Sequence, residues 1–168
     1  MSSPSRWRSA APARPEWREI LLGFLGGTLG IGVLAWLAMH AGVPLLIAPF
    51  GASCVLLFAA HPAPLAQPRN VIGGHVLTTF IGLAAMNYLG DSLWICALAT
   101  GVGIAAMQLL RVVHPPAGGN PLMIALSGVH SWTFLLTPVL AGAIILVVIA
   151  WLLHRLHRHP VRWPVYWY

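Results

Sequence analysis

Long apolar stretches, rather than an alternation of hydrophobic and polar positions, dominate the chain. Four of them are continuous and long enough to cross the roughly 30 Å hydrocarbon core of a bilayer as helices. Strands would instead show a period of two, which is not seen. The pattern therefore predicts an all-α integral membrane protein with four full spans. They cover residues 20–40, 72–90, 92–110 and 132–153.

Two further apolar stretches are interrupted by helix-breaking residues. Residues 44–60 contain Pro49 and Gly51, and residues 114–129 begin with HPPAGGN before about ten residues of helical character. Ten helical residues rise only about 15 Å, so an extended HPPAGGN segment, at about 3 Å per residue, would have to supply the missing depth. Each stretch either crosses fully as a broken helix or re-enters from one side.

The placement of the arginines favours full crossing. The chain has nine arginines, no lysine and three acidic residues. With six crossings and a cytoplasmic N terminus, the loops that hold Arg69 and Arg111 and the C-terminal tail all lie in the cytoplasm, as the positive-inside rule requires. Four crossings would not allow this arrangement. We therefore expect a multi-pass protein of the inner (plasma) membrane with both termini cytoplasmic.

The two halves of the membrane region resemble each other. Residues 44–51 (PLLIAPFG) are similar to residues 121–128 (PLMIALSG), and each stretch follows a helix with a Gly-x-Gly step. Three crossings per half would insert the halves in opposite orientations. The sequence therefore predicts two inverted three-helix repeats with broken helices, an arrangement typical of transporters with a site near the midplane.

This prediction divides the chain into a membrane domain and two tails. The membrane domain covers residues 19–153, with repeats at about 20–90 and 92–153. Residues 1–18 are predicted to form a disordered cytoplasmic tail, because they are rich in Ser, Pro, Ala and Arg. Residues 154–168 are predicted to form a cytoplasmic or interfacial tail.

The composition excludes several classes of protein. Only 7% of the residues are charged and the mean hydropathy is +0.81, whereas soluble domains carry roughly 25% charged residues. The net charge of +6 lies in tails and loops, so we expect a lipid bilayer as partner and no nucleic acid. Cys54 and Cys96 lie in apolar segments, which indicates buried thiols. Arginines interleaved with His154, His157 and His159 disfavour a metal site, and we expect no cofactor.

Three segments resemble the signature of a known family. They read PFGAS at residues 49–53, PLAQPRNVIGGH at 64–75 and HPPAGGNP at 114–121. Together they resemble the HPP family of integral membrane proteins, over about residues 20–153. Members of that family are described as four-helix proteins, and some plastid and cyanobacterial members are implicated in nitrite transport. The resemblance therefore implies the movement of a small inorganic anion.

The breaks themselves indicate where a site would form. Irregular backbone at membrane depth has to be buried in protein or line a polar cavity, because lipid cannot pair its amides. We expect the two broken segments to face each other as an anion-selective constriction. Asn120 is the predicted N-cap of the short helix after HPPAGGN, with free N–H groups turned towards the anion; packing alone is the alternative. The structural breaks are assigned to Pro49, Pro115, Pro116 and Pro121.

Several polar residues are candidates for lining the pathway. The planar guanidinium of Arg69 matches a planar oxyanion, although an ordinary positive-inside anchor is the alternative. No Asp or Glu lies in a predicted span, so a coupled proton would have to be carried by His75 or His114. Each of these could instead stay neutral and pair with a carbonyl. The predicted pathway residues are Gly51, Ser53, Gln67, Arg69, Asn70, His75, His114, Gly118, Gly119 and Asn120.

Three functions remain in competition. The first is a small-anion transporter or channel, most naturally for nitrite, although the same donors suit nitrate, formate and bicarbonate. The second is a non-transporting accessory or structural membrane subunit. The third is an intramembrane hydrolase that uses Ser53 or Cys54 with a histidine; without a Gly-x-Ser-x-Gly elbow or an orienting carboxylate we expect no enzyme. The short chain is compatible with a homodimer that holds one pathway in each protomer.

Overall fold

Proline and glycine mark most of the helix boundaries. Helices α2, α3 and α5 each carry a proline in the first turn, where its missing N–H removes no helical hydrogen bond. Gly42 and Gly128 follow α1 and α5 in the left-handed conformation. The computed structural model describes residues 13–157 and 162–167. In these ranges the α-helices are α1 (Trp17–Ala41), α2 (Ala48–Ala59), α3 (Pro68–Leu89), α4 (Leu93–Leu109), α5 (Asn120–Ser127) and α6 (Ala141–His157).

The all-helical prediction is confirmed, because the described residues contain six α-helices and no strand. Three helical segments are long and apolar enough to cross a membrane: α1, α3 and the segment Leu135–His157, which includes α6. Helix α4 has 17 residues and α2 has 12. The fourth predicted full span is therefore a shorter apolar helix. Residues 1–12 of the predicted N-terminal tail, and Arg158 and His159, lie outside the described residues.

The two broken segments differ in detail from the sequence prediction. Pro115–Gly119 forms a 3₁₀ helix, not the expected extended chain; the φ that proline fixes is compatible with both conformations, and packing of this segment against Gly74 of α3 favours the more compact one. Residues 44–47 are not helical, Ile47 is extended, and α2 begins at Ala48. Pro49, rather than Pro44, therefore corresponds to Pro121 as the proline in the first turn of a short helix.

Two other local predictions are corrected. Asn120 is the first residue of α5 and not its N-cap, which is Gly119 without a side-chain cap. The predicted span 132–153 is interrupted at Thr137, whose φ of −139° and ψ of 114° are not helical. The helix then continues to His157, past the predicted end of the membrane domain.

Consecutive helices run in opposite directions between two ends of the molecule. Residues 60–67, 110–114 and 162–167 form one end, called here the arginine end, where Arg69 donates to the Leu110 carbonyl and Trp163 to the Ala66 carbonyl. The opposite end, called the Asp91 end, joins residues 90–92 and 128–134 through an Asp91–His130 contact of 3.2 Å. The broken segments thus connect the two ends, as the long helices do.

The helices pack as two groups of three. Helix α1 packs against α2 and α6, and helix α3 packs against α4 and α5; contacts of α3 with α6 join the groups. One apolar core lies within the first group, around Phe50, Leu57 and Leu146. A second core lies within the other group, around Leu83, Ala99 and Ile124.

One close helix approach in the first group depends on Gly142 of α6. A Cβ atom at this position would overlap the ring of Phe50, which is fully buried. The ring cannot turn away, because close-packed interiors have no space to receive it. Gly142 is therefore required for α2 to lie against α6.

We expect Gly142→Ala to destabilise the protein by about 1–3 kcal/mol through overpacking. Gly101→Ala is the matched control, because Gly101 lies in α4, is exposed, and would have no neighbouring atom within 4 Å of an added methyl group. Thermal unfolding in detergent, followed by size-exclusion chromatography, measures both variants. Equal melting temperatures for the two variants would contradict the close packing of Gly142.

Candidate functional site

Four polar side chains meet where α2, α3 and the segment 114–120 come together. Ser53 comes from α2, His75 from α3, and His114 and Asn120 from the two ends of the HPPAGGN segment. All four have no exposed surface. The structure therefore brings together four of the polar residues that the sequence predicts for the pathway.

Ser53 is the centre of this cluster. Its Oγ atom lies 2.8 Å from Nε2 of His75 and 2.9 Å from Nε2 of His114. It also lies 3.2 Å from the carbonyl oxygen of Pro49, one turn earlier in α2. One hydroxyl thus joins two imidazoles that belong to two other, distant segments of the chain.

Glycine on α3 allows the imidazoles to come this close. A Cβ atom at Gly74 would lie 2.8 Å from the Cβ of His114 and 3.1 Å from the carbonyl oxygen of Val112. Both distances are too short for a side chain, so only glycine lets the segment before the 3₁₀ helix lie directly on α3. The Gly-Gly-His sequence therefore places His75 beside His114.

The outer ends of the cluster are paired as well. Nδ1 of His114 donates to the Leu65 carbonyl at 2.8 Å. At the other end, Nδ2 of Asn120 lies 3.1 Å from Nδ1 of His75, 2.9 Å from Oγ1 of Thr79 and 3.1 Å from Oγ1 of Thr78. The buried network, as named from here on, consists of Ser53, His75, Thr78, Thr79, His114 and Asn120.

The sequence alone gives Thr78 and Thr79 less weight than the other candidates. The sequence signal that could identify them is their i, i+3 and i, i+4 spacing from His75, which places three polar side chains on one face of α3. Thr78 donates its own proton to the Gly74 carbonyl at 2.9 Å, so its oxygen is left to accept from Asn120. The network has no carboxylate and no arginine.

Arg69 lies outside the buried network, in a second polar site. It lines a pocket of about 410 Å³ at the arginine end, called here the basic pocket. Its Nη2 atom donates to the Leu110 carbonyl at 3.1 Å, which fixes the guanidinium. Arg69 precedes His75 on α3 by less than two helical turns, a rise of about 9 Å. The full lining is Pro64, Arg69, Asn70, Arg111, Val113 and Tyr166.

The basic pocket holds two arginines, and its lining includes no carboxylate. The Asp91–His130 contact lies at the other end of the molecule. Arg111 and Tyr166, which are not among the predicted pathway residues, also line this pocket. The Tyr166 hydroxyl lies 2.9 Å from Asn70 Oδ1 and 2.9 Å from the Pro64 carbonyl. Asn70 in turn donates to the Val113 carbonyl at 2.8 Å.

Gln67 belongs to neither site. Its amide nitrogen donates to the carbonyls of His61 and Ala63, and its amide oxygen accepts from the Val165 N–H at 2.8 Å. Both amide protons are therefore used in the turn before α3. In this structure Gln67 ties the C-terminal segment to that turn and offers no donor to an anion.

The glycines and prolines of the two broken segments differ in the contacts that they make. A Cβ atom at Gly119 would lie 3.7 Å from Pro49, so the two broken segments touch. Pro121 packs against Gly82 of α3. Gly51 is exposed on the outer face of α2, and no atom lies near a Cβ placed at Gly118. A side chain at Gly51 or Gly118 would therefore not reach the buried network.

Comparison with known proteins identifies the family of the chain. Residues 12–164 match the family described as HPP, transmembrane region. The chain belongs to the HPP family of transmembrane proteins. The His-Pro-Pro sequence thus begins with the histidine that pairs with Ser53 and continues with the prolines that start the 3₁₀ helix at residues 115–119.

Two relatives from Dictyostelium discoideum are each named as transmembrane proteins. One is 34% identical over 168 residues, which cover 94% of this chain and 59% of the relative. The other is 31% identical over 176 residues, which cover 97% of this chain and 56% of the relative. This HPP chain therefore spans less than two thirds of the length of either relative. No solved structure matches it.

We expect Asn120→Ala to destabilise this HPP protein by about 1–3 kcal/mol, because it removes the amide that pairs with His75 and Thr79 in a fully buried place. Asn87→Ala is the control, since Asn87 is exposed and its amide nitrogen donates to the carbonyls of Leu83 and His130. Melting temperatures in detergent compare the two. A shift for Asn87→Ala as large as that for Asn120→Ala would contradict a structural role of the network.

Proposed function

We propose that this HPP protein moves a small inorganic anion across a membrane, with nitrite as the first candidate. The observation that carries the proposal is the basic pocket, whose lining contains two arginines and no carboxylate; one of them, Arg69, precedes His75 of the buried network by a rise of about 9 Å along α3. Excess positive charge at the mouth of a polar region attracts anions and raises their local concentration.

The basic pocket has the donors that a planar oxyanion needs. Arg69 uses one of its five N–H groups on the Leu110 carbonyl, so the remaining fork is available to two oxygen atoms of one anion. Arg111 supplies a second guanidinium to the same pocket. Nitrite, nitrate, formate and bicarbonate all present such paired oxygens, and a flux comparison separates them.

The buried network forms the inner part of the proposed pathway. Its members have no exposed surface, so the structure represents a closed state on this interpretation. Opening would separate Ser53 of α2 from His75 and His114, because these contacts join the first broken segment to α3 and to the second broken segment. The imidazole and hydroxyl groups released by this separation would replace part of the water around an anion.

The packing of the helices supports the inverted-repeat part of the proposal. If α1, α2 and α3 are exchanged with α4, α5 and α6, the main contacts are retained: α1–α2 becomes α4–α5, α1–α6 becomes α4–α3, and α2–α6 becomes α5–α3. Such an exchange is what a pseudo-two-fold axis in the membrane plane produces.

The lengths of the broken segments support six crossings. Four non-helical residues and the 12 residues of α2 reach about 31 Å along the chain. Residues 112–114, the 3₁₀ helix and the eight residues of α5 reach about 32 Å. Both values are close to the roughly 30 Å of a hydrocarbon core.

The proposed orientation places the arginine end in the cytoplasm of a cell with an inner (plasma) membrane, in agreement with the positive-inside rule. Both termini would then be cytoplasmic. Because one chain contains both the basic pocket and the buried network, a homodimer would hold one pathway in each protomer.

An enzymatic role has one observation in its favour, namely the Ser53–His75–Asn120 arrangement, which resembles a nucleophile, its base and an orienting group. Two features oppose it. Ser53 has no exposed surface, and it lies within α2, where the backbone N–H groups near it are used in helical hydrogen bonds. Without free amides to bind an oxyanion, we propose that the protein is not an enzyme.

We expect Arg69→Gln to reduce saturable nitrite flux in proteoliposomes by at least about tenfold, since a charge-assisted bidentate contact is worth about 1.5–3 kcal/mol. Arg111→Gln should also reduce this nitrite flux. Arg155→Gln is the matched control: it removes the same charge near the arginine end, from an exposed residue that packs over Trp151. Nitrate, formate, bicarbonate and chloride are measured alongside nitrite.

Equal losses in Arg69→Gln and Arg155→Gln would show a general surface-charge effect and contradict a binding role of the basic pocket. If folded protein gives no flux above empty liposomes for any of these anions, the stand-alone transporter is excluded. The accessory-subunit hypothesis would then be favoured, and a partner would be sought by cross-linking in native membranes.

A further inference from the structure

The Ser53 hydroxyl has one proton but three partners at hydrogen-bond distance. They are Nε2 of His75 at 2.8 Å, Nε2 of His114 at 2.9 Å and the Pro49 carbonyl at 3.2 Å. A hydroxyl can donate once and accept twice. The number of protons on the two imidazoles therefore decides which of the three contacts Ser53 donates to.

The Leu65 carbonyl fixes the direction of the bonds when both histidines are neutral. A carbonyl only accepts, so Nδ1 of His114 carries the proton and Nε2 of His114 has a lone pair. Ser53 then donates to His114 and accepts from Nε2 of His75. The free Nδ1 of His75 accepts from Asn120 at 3.1 Å. Every imidazole nitrogen is paired, and the Pro49 carbonyl receives no proton from Ser53.

One additional proton also leaves every donor paired. When the proton binds Nε2 of His114, Ser53 accepts from both imidazoles and turns its own proton to the Pro49 carbonyl. A second proton would have to bind Nδ1 of His75, which would place two positive rings with centroids 5.1 Å apart. Repulsion at this distance in a dry interior opposes it. The site is thus built for one proton.

Among the described residues, the groups that contact the two rings carry no fixed charge that would substitute for this proton. Next to the rings lie Phe50 of α2, with its centroid 5.1 Å from that of His75, and Ala117 of the 3₁₀ helix, next to Gly74. The titratable side chains on α2, α4, α5 and α6 are the thiols of Cys54 on α2 and Cys96 on α4, and His154, Arg155 and His157 in the last turn of α6. His154 bonds to the Leu57 carbonyl, and the exposed Arg155 packs over Trp151. Arg69 on α3 and His61 belong to the arginine end.

We propose that His75 and His114 bind one proton between them, with Ser53 as the hydrogen-bond switch, and that this proton crosses the membrane together with the anion. The inference rests on the proposed transport function and names its coupling ion. An isolated anion in a neutral, buried region is strongly unfavourable, whereas an anion paired with an imidazolium is not. The pathway is therefore a one-to-one proton–anion symporter and not an anion uniporter.

The test measures protons and anions in the same proteoliposomes. Trapped pyranine reports internal pH while nitrite and nitrate uptake are measured, with empty liposomes subtracted because nitrous acid itself crosses lipid. We expect one proton per anion, uptake driven by an acidic exterior, and no response to a potential set with valinomycin and potassium. A monovalent anion that moved alone would change its accumulation about 50-fold per 100 mV.

Variants assign the proton to the network. We expect a lower number of protons per transported anion in three variants, namely Ser53→Ala, His75→Gln and His114→Gln. Uptake driven by a pH gradient should fall in each of them, by at least about tenfold in Ser53→Ala. Ser53→Thr keeps the hydroxyl and should keep the ratio of protons to anions. His40→Gln is the control, since His40 is exposed and bonds to the Trp36 carbonyl. Thermal unfolding verifies that each variant is folded.

The possible results separate the two proposals. Saturable wild-type flux that follows the potential and moves no protons overturns the symport while the anion transporter stands. One proton per anion that persists in folded Ser53→Ala, His75→Gln and His114→Gln overturns the assignment to this network. No saturable flux of any anion removes the transport function and the symport with it.

Discussion

Lipid offers no hydrogen-bond partner, so every polar group at membrane depth must be paired within the protein. In this chain the pairing converges on one atom, the Oγ of Ser53, which contacts two imidazoles from different segments. The break at Pro49 sets the start of the helix that carries Ser53, and Gly74 removes the side chain that would keep His114 away. Much of the irregular backbone is arranged around this contact.

The same constraint places the charged side chain of α3 at the end of the helix and an uncharged polar side chain in its buried part. An arginine in the buried network would need a carboxylate or an anion as partner, and no described acidic residue is near it: Asp91 lies at the opposite end, and Glu16 and Glu19 lie at the start of α1. Arg69 therefore stays at the end of the helix, where its guanidinium reaches a backbone carbonyl and an open pocket. His75, which can be neutral, occupies the buried position almost two turns later.

The elements that follow from local chemistry could be predicted from the sequence. The apolar runs locate the helices within a few residues, and the prolines locate both breaks. His75, His114 and Asn120 stand out because polar residues are rare in such segments, and the structure places them together with Ser53. The predicted extended HPPAGGN segment instead forms a 3₁₀ helix, since consecutive prolines are compatible with both conformations and packing on α3 decides between them.

Contacts between distant segments could not be predicted in this way. Tyr166 reaches the basic pocket through a fold-back of residues 162–167, which no local pattern indicates. Gln67, close to Arg69 in the same motif, is turned to the other side of the loop because its amide satisfies three backbone groups there. Asparagine is common at N-cap positions, which is why the sequence predicts that role for Asn120. In the structure its amide pairs instead with a buried imidazole and two hydroxyls, so tertiary contacts determine its role.

The packing of the helices into two groups indicates which contacts of the buried network would break if the groups moved relative to each other. Ser53 is the one member that belongs to the α1–α2–α6 group, whereas His75, Thr78, Thr79 and Asn120 belong to the α3–α4–α5 group and His114 lies directly before its 3₁₀ helix. A relative movement of the groups would therefore break the Ser53 contacts first and leave the rest of the network intact. With one additional proton, both imidazoles donate to Ser53, so protonation converts the neutral Ser53–His114 bond across the boundary into a charge-assisted one. The protonation state and the relative position of the two groups are thus coupled through a single hydroxyl.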